Sequence, residues 1–148
     1  MKKTMNYRTL DFLSRSSNEA YARTAVACFA AQMDPTLGEL EDIKTAVSEA
    51  VTNAIVHGYP NVLGKVLVKA KICEGNVLEV SVKDRGRGIP DVEKARQPMF
   101  TTGGEERSGM GFTIMESFMD HIAVKSVPGK GTTVTLRKKL APRRRQTA

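Results

Sequence analysis

The sequence predicts an α/β two-layer sandwich, in which helices cover one face of a mixed, mostly antiparallel sheet. A strand pattern and two segments with helical periodicity come first along the chain. Apolar residues then alternate with a period of two through a hairpin, and a third helical segment and two more strand patterns follow. Helices and strands in this order favour one sheet with helices packed on one of its faces.

The first strand is predicted at residues 5–13, and the first helix follows it and runs to about Met33. Ser16 and Glu19 have the spacing of a capping box, in which both side chains satisfy free backbone N–H groups at the helix start. Arg23 is expected to face solvent, because each helical residue advances by about 100° and places it off the apolar stripe. That stripe consists of Ala22, Ala25, Val26, Phe29 and Met33.

The second helix is predicted to begin at another capping box, Thr36 to Glu39, and to run to about His57. Its inward-facing residues are Leu40, Ile43, Val47, Val51 and Ala54. Gly58 follows the last turn, and we expect it to take the left-handed conformation that is common directly after a helix.

The rest of the predicted sheet consists of two hairpins with one more helix between them. These elements are expected at residues 66–72, 78–82, 111–119, 121–126 and 132–140. One domain is therefore predicted at residues 1–140, followed by a basic tail at residues 141–148 that is expected to be disordered.

Charge is concentrated at the two ends of the chain. The net charge of the chain is +7. Residues 137–148 contain six basic residues and no acidic one, and Lys2 and Lys3 lie near the start. The rest is close to neutral, whereas a nucleic-acid-binding domain carries its basic residues on a structured face. A solvated tail is therefore favoured and no direct nucleic-acid contact is expected, with contact between the tail and a partner or nucleic acid as the alternative.

Neither a membrane protein nor an exported one is predicted. No apolar run approaches the length of about 18 residues that spans a bilayer, and the N-terminal lysines have no apolar run behind them. We therefore expect a cytoplasmic protein. Cys28 and Cys73 lack the spacing of a zinc site or a disulfide framework, and both are expected to be buried or half-buried thiols.

The segment from Asp84 to Gly111 is long for a connection in a compact domain, and only one short helix is predicted in it, near residues 91–96. One glycine cluster follows a strand at its start, and another opens a helix at its end. Glycines allow a backbone to approach a ligand closely, and a helix N-terminus presents free N–H groups to an anion. The segment therefore predicts a nucleotide pocket, although neither the Walker A motif nor the dinucleotide fingerprint is present.

The second helix carries a polar row, since Glu49, Asn53 and His57 follow each other at intervals of four residues. Asparagine offers Mg²⁺ a hard oxygen ligand, and glutamate can orient or deprotonate a hydroxyl nucleophile. His57 is interpreted as a capping or packing residue at the helix end. Without the glycine clusters, a solvated helix face would explain Glu49 and Asn53 better.

Three motifs together resemble the Bergerat ATP-binding fold, which gyrase B and histidine kinases share, over about residues 35–140. They read EAVTNAIVHG at 49–58, DRGRGIP at 84–90 and SGMGF at 108–112. The resemblance implies that Asn53 holds Mg²⁺, that Asp84 accepts a hydrogen bond from the adenine amino group of ATP or ADP, and that Thr132 assists through water. It implies that Gly86 and Gly88 let the loop pass close to the nucleotide and that Gly109 and Gly111 line the triphosphate. Arg107 is implied as a phosphate contact, and Ser108 as a further nucleotide-binding residue.

Longer runs, at residues 41–50, 95–102 and 106–120, resemble the anti-sigma F factor family of spore-forming bacteria. Members of that family are homodimers that bind the sporulation sigma factor F and use ATP to phosphorylate a serine of an anti-anti-sigma factor. The resemblance implies that this chain is a serine protein kinase and an anti-sigma factor. Glu49 is then the expected catalytic residue, and Arg23 matches an arginine at the partner-binding surface of the family.

Other functions remain open at this stage. They are a related stress-response anti-sigma kinase, a histidine-kinase ATPase module, and a non-catalytic or nucleic-acid-binding module. The helical hairpin with a phosphoacceptor histidine that a histidine kinase needs is not recognisable in the sequence. Intact Glu49, Asn53 and Asp84 disfavour a degenerate pocket. Arg85 and Arg87 place two cations in the first glycine cluster, and the sequence assigns them no role.

Overall fold

The computed structural model describes residues 2–97 and 111–142. In these residues a five-stranded sheet has the strand order β1-β2-β3-β5-β4, and all of its described strand pairs are antiparallel. The elements are β1 (Thr4–Leu13), α1 (Asn18–Ala30), α2 (Leu37–Asn53), β2 (Lys65–Cys73), β3 (Val77–Asp84), α3 (Val92–Ala95), α4 (Gly111–Phe118), β4 (His121–Val127) and β5 (Gly131–Lys139). The predicted two-layer sandwich is confirmed, with antiparallel rather than mixed pairing among these strands.

The core lies between the sheet and the helices α1, α2 and α4. Alternate residues of β2 and β3 are buried, as the period of two predicted, and the residues between them point to the uncovered face of the sheet. Helix α2 packs against both α1 and α4 and contributes Ile43, Ala46, Val47, Ala50 and Val51 to the core. Helix α2 also contacts β3 and β5 of the sheet.

The predicted capping box at the start of α2 is present. The Thr36 hydroxyl accepts the Glu39 N–H at 3.0 Å, and the Glu39 carboxylate accepts the Thr36 N–H at 2.9 Å. At the other end, α2 passes into a π-helical turn, Ala54–Gly58. The prediction that Gly58 takes the left-handed conformation is wrong, because Gly58 is not among the described glycines with a positive φ. The chain keeps a helical path there, and another contact, described below, requires the glycine.

The capping box expected at the start of α1 is absent. The N-cap residue is Ser17, which makes no side-chain cap bond, and the side chain of Glu19 takes a different partner. Its carboxylate accepts the Ser48 hydroxyl from α2 at 2.5 Å and lies 3.6 Å from Arg23 Nε. A contact between the two helices therefore replaces the local cap that the spacing predicted.

The two cysteines differ in exposure. Cys73 is buried, as expected, but Cys28 is exposed, so the expectation that both are at least half-buried is wrong. Cys28 lies on the outward side of α1, between the buried residues Ala27 and Phe29. In the part of the chain that the structure describes, none of the helices combines the length and apolar character that a membrane crossing requires.

Candidate functional site

The site is built where the end of α2 meets the end of β3. A Cβ atom placed on Gly58 would lie 2.7 Å from Cγ of Asp84, closer than two carbon atoms can approach. The backbone of the π-helical turn therefore lies directly against the Asp84 carboxylate, and a residue with a side chain would push the two elements apart. This contact explains why a glycine follows the helix without a left-handed turn.

Asp84 is the most informative residue of the site, because it is an acidic side chain only 5% exposed to solvent. Burial raises the pKa of its carboxyl group, and backbone N–H groups of Gly86 and Thr132 donate hydrogen bonds that act in the opposite direction. The bond from Gly86 N to Asp84 Oδ1 is 2.9 Å long. Since a carboxylate can accept about four hydrogen bonds, Asp84 retains capacity for a donor from a ligand. Buried carboxyl groups with raised pKa values are typical of functional sites.

The first glycine cluster closes tightly around this carboxylate. A Cβ on Gly86 would lie 1.9 Å from the carbonyl oxygen of Gly58. Gly88 has a φ of 75°, and a Cβ there would lie 2.4 Å from the carbonyl oxygen of Val127. Gly86 is therefore required because the loop passes close to the turn after α2, and Gly88 because it passes close to the end of β4. These contacts within the protein require both glycines even without a ligand.

The predicted polar row meets the start of α4. A Cβ on Gly111, the first residue of α4, would lie 3.3 Å from both Glu49 Oε2 and Asn53 Oδ1. Both side chains are half-buried. The structure thus brings Glu49, Asn53 and Gly111 together at the first turn of α4, whose N–H groups have no partner within the helix, and this is a favourable place for an anion.

Thr132 lies on β5, opposite Asp84 in the sheet, and is 8% exposed. Its hydroxyl oxygen is 2.8 Å from that of Ser126 on β4, which also accepts the N–H of Ile89 at 2.7 Å. Ser126 was not predicted as a site residue, although a serine at the inward-facing end of the apolar β4 was a signal. Asp84, Ser126 and Thr132 are among the residues that line a cavity of about 490 Å³.

The remaining predicted site residues are distributed as follows. Arg107, Ser108 and Gly109 lie outside the described residues. Arg23 lies on α1, with its side chain 37% exposed, and is connected to α2 through Glu19. His57 lies in the π-helical turn and takes part through its carbonyl oxygen, which accepts a hydrogen bond from Arg87 Nε at 3.0 Å.

The donor set fits a magnesium ion bound together with phosphates. The described residues contain no group of three or more histidine, cysteine or acidic side chains that could hold a metal ion. Mg²⁺ usually keeps several waters and takes only one or two protein ligands beside the phosphate oxygens. The amide oxygen of Asn53, next to the Glu49 carboxylate at the start of α4, is a suitable ligand of this kind.

Comparison with known proteins identifies the family. The model of the histidine kinase-like ATPase domain matches residues 12–138. An anti-sigma F factor of Thermoanaerobacter sp. strain X514 is 59% identical over 134 residues, which cover 90% of this chain and 93% of that protein. One from Clostridium acetobutylicum is 54% identical over 137 residues, covering 92% of this chain and 95% of that protein. The chain belongs to the anti-sigma F factor family. Its place among the ATPase domains implies nucleotide binding.

Solved structures confirm the fold. The RsbU and RsbW domains of a Mycobacterium tuberculosis protein match with a TM-score of 0.66 at 22% identity, over 92% of this chain and 32% of that one. The mycobacterial sensor histidine kinase MprB matches with a TM-score of 0.59 at 17% identity, over 93% of this chain and 100% of that one. At such identities these likenesses concern the architecture alone.

Exchange of Gly58 for alanine tests the contact on which the site is built. We expect Gly58→Ala to lower the free energy of unfolding by about 2 kcal/mol, because its Cβ overlaps Asp84. Gly38→Ala is the matched control, since a Cβ in this other helical position would meet only Thr36 Oγ1, at 3.9 Å. It should raise the same free energy by about 0.5 kcal/mol. Urea unfolding measures both, and a Gly58→Ala protein as stable as the Gly38→Ala protein would contradict the contact.

Proposed function

We propose that this chain is an ATP-dependent serine protein kinase and an anti-sigma factor. It binds and inhibits the sporulation sigma factor F and transfers the terminal phosphoryl group of ATP to a serine of an anti-anti-sigma factor. One observation carries the proposal. Glu49 and Asn53 of α2 lie at the start of α4, and the turn that follows α2 lies against Asp84. Relatives that are more than half identical over nine-tenths of the chain are named anti-sigma F factors.

The nucleotide is proposed to lie between Asp84, at the end of β3, and Gly111, at the start of α4. The carboxylate of Asp84, held by two backbone N–H groups, accepts a hydrogen bond from the adenine amino group. Thr132 supports it from the neighbouring strand through a water molecule. Gly86 and Gly88 keep the loop close to the base, and Gly111 and the N–H groups behind it face the phosphates.

Phosphoryl transfer is proposed to take place at the start of α4. When bound through Asn53, Mg²⁺ neutralises charge on the phosphates. The Glu49 carboxylate orients the serine hydroxyl of the substrate and accepts its proton as the oxygen bonds to the terminal phosphorus. The products are ADP and phosphoserine. General-base assistance of this kind is typically worth 10²–10⁴-fold in rate. Arg107, Ser108 and Gly109 are proposed to contact the phosphates on the basis of the family resemblance.

Partner binding is assigned to a different part of the molecule. Arg23 is partly exposed on α1, and its guanidinium group suits paired hydrogen bonds to a carboxylate of a partner. Such arginines are frequent among residues that dominate interface energies. A single arginine that serves both the sigma factor and the anti-anti-sigma factor makes the two partners compete. The resemblance also implies a cytoplasmic homodimer.

We expect Asp84→Asn to abolish measurable ATP binding while the fold is retained. The exchange replaces one of the two acceptor oxygens with an amide donor, which then opposes either the adenine amino group or a backbone N–H of Gly86 or Thr132. The loss of a hydrogen bond to a charged group costs about 1.5–3 kcal/mol, and the opposed donors add to it. Isothermal calorimetry measures the affinity, circular dichroism checks the fold, and an unchanged ATP affinity would refute the adenine assignment.

Glu49→Ala and Asn53→Ala should separate chemistry from binding. Glu49→Ala is expected to reduce phosphorylation of the anti-anti-sigma factor by about 10²-fold or more, with ATP binding and sigma-factor binding largely retained. Asn53→Ala should instead weaken binding of ATP with Mg²⁺, because it removes the metal ligand. Single-turnover phosphorylation and calorimetry distinguish the two effects. A wild-type rate in the Glu49→Ala protein would show that the general-base role is wrong.

Arg23→Glu is expected to weaken binding of both protein partners by about 30-fold, the size of a typical interface hot spot. ATP affinity should change little, since Arg23 belongs to none of the nucleotide motifs. Arg23→Ala separates the loss of the arginine from repulsion between the new glutamate and Glu19. Lys139→Glu is the control, because it reverses an exposed charge at the end of β5, away from the cavity beside Asp84. Surface plasmon resonance measures each affinity. If both Arg23 variants bind the partners as tightly as the parent protein, Arg23 has no role in partner binding.

A further inference from the structure

Tyr59, the first residue after the π-helical turn, connects the end of α2 to two strands. Its hydroxyl oxygen accepts the backbone N–H of Arg85 at 2.7 Å, directly after Asp84. The same hydroxyl donates to the carbonyl oxygen of Lys65, the first residue of β2, at 2.8 Å. Because both the donor and an acceptor site of the hydroxyl are used, Tyr59 bridges the start of β2 and the end of β3.

The ring of Tyr59 is held in place by its surroundings. It is half-buried, and a Cβ on Gly64 would lie 2.2 Å from Tyr59 Cε1. The ring thus lies against the bare backbone of Gly64, which any other residue would obstruct. Its hydroxyl is therefore presented to Arg85 N in a defined position.

Arg87 ties the same loop to the last turn of α2 by two bonds. Its backbone N–H donates to the carbonyl oxygen of Gly58 at 3.1 Å, and its Nε donates to that of His57 at 3.0 Å. Carbonyl groups in the last turn of a helix lack partners within the helix, and a cation there is also favoured by the helix dipole. The cation at position 87, which had no role at the level of sequence, thus holds the end of the helix.

We propose that Tyr59 and Arg87 are positioning residues that form a clamp, which fixes the Asp84 carboxylate for recognition of the adenine amino group. The clamp fastens the residues after Asp84 to the helix that carries Asn53 and Glu49. It therefore sets the place of the base-recognising carboxylate relative to the phosphate end of the site. This inference rests on the proposed binding of ATP.

Base selectivity is the property that the clamp controls. ATP presents an amino group at position 6 of its base, whereas ITP presents at that position a carbonyl oxygen, which cannot donate a hydrogen bond to a carboxylate. Displacement of Asp84 therefore weakens ATP binding and leaves ITP binding nearly unchanged. A general loss of stability would weaken the binding of both nucleotides together.

The test compares the dissociation constants of ATP and ITP, each with Mg²⁺, by isothermal calorimetry. Tyr59→Phe retains the ring against Gly64 and removes only the hydroxyl, and Arg87→Ala removes the bond to His57. We expect each variant to weaken ATP binding about tenfold, because the displaced Asp84 carboxylate loses its well-placed hydrogen bond to the adenine amino group. ITP binding should change less than about twofold.

Two matched controls accompany these variants. Tyr21→Phe removes the hydroxyl of a tyrosine that is 64% exposed on α1. Arg85→Ala removes the neighbouring cation but keeps the backbone N–H that bonds to Tyr59. Both should retain the parental preference for ATP over ITP.

The possible results separate the clamp from the function on which it rests. If Tyr59→Phe and Arg87→Ala keep the parental ratio of ATP to ITP affinity, whether the two affinities fall together or stay unchanged, the clamp is refuted. If the parent itself binds both nucleotides equally, adenine recognition by Asp84 fails, and the clamp fails with it. A selective loss for ATP in either variant, with both controls unaffected, supports the clamp.

Discussion

The contact between Gly58 and Asp84 is the constraint on which the rest of the site depends. Helix α2 crosses the core and carries Glu49 and Asn53, while β3 is the central strand of the sheet and ends at Asp84. Only the missing side chain at Gly58 allows the end of the helix to reach the end of the strand. The separation between the two ends of the site is therefore set by backbone packing and not by the functional side chains.

Burial of Asp84 has an energetic cost that links stability to binding. Because burial raises the pKa of its carboxyl group, the folded protein disfavours the charged form relative to the unfolded chain. Below the ordinary pKa of aspartate the group is neutral in both states and costs nothing. As the pH rises through the raised pKa, the carboxyl group ionises in its buried position, and the protein becomes less stable than it was at low pH. A ligand that donates a hydrogen bond to the carboxylate offsets part of the loss, so the site is prepared for a donor.

The residue proposed to bind partners, Arg23, and the residue proposed to act in catalysis, Glu49, lie on different helices that one chain of contacts connects. Arg23 is 3.6 Å from Glu19, and Glu19 accepts the hydroxyl of Ser48, which directly precedes Glu49 in α2. The same contact replaces the capping box expected at Ser16, since the Glu19 side chain is directed toward Ser48 on α2 and not back to the start of its own helix. The local rule failed here because a polar group on a second helix offered a hydrogen bond in a partly buried place, where it is stronger than at an exposed helix end.

By itself the sequence determined the elements, the α2 capping box, the side of the sheet that is buried, and the nucleotide motifs, because periodicity and glycine spacing express local backbone preferences. The bonds of Tyr59 to Lys65 and Arg85, and of Ser126 to Ile89, were decided only by the tertiary structure. So were the helical path at Gly58 and the exposure of Cys28. Such features depend on which elements become neighbours and in which register, and a hydrogen-bond partner distant along the chain leaves no periodic trace in the sequence.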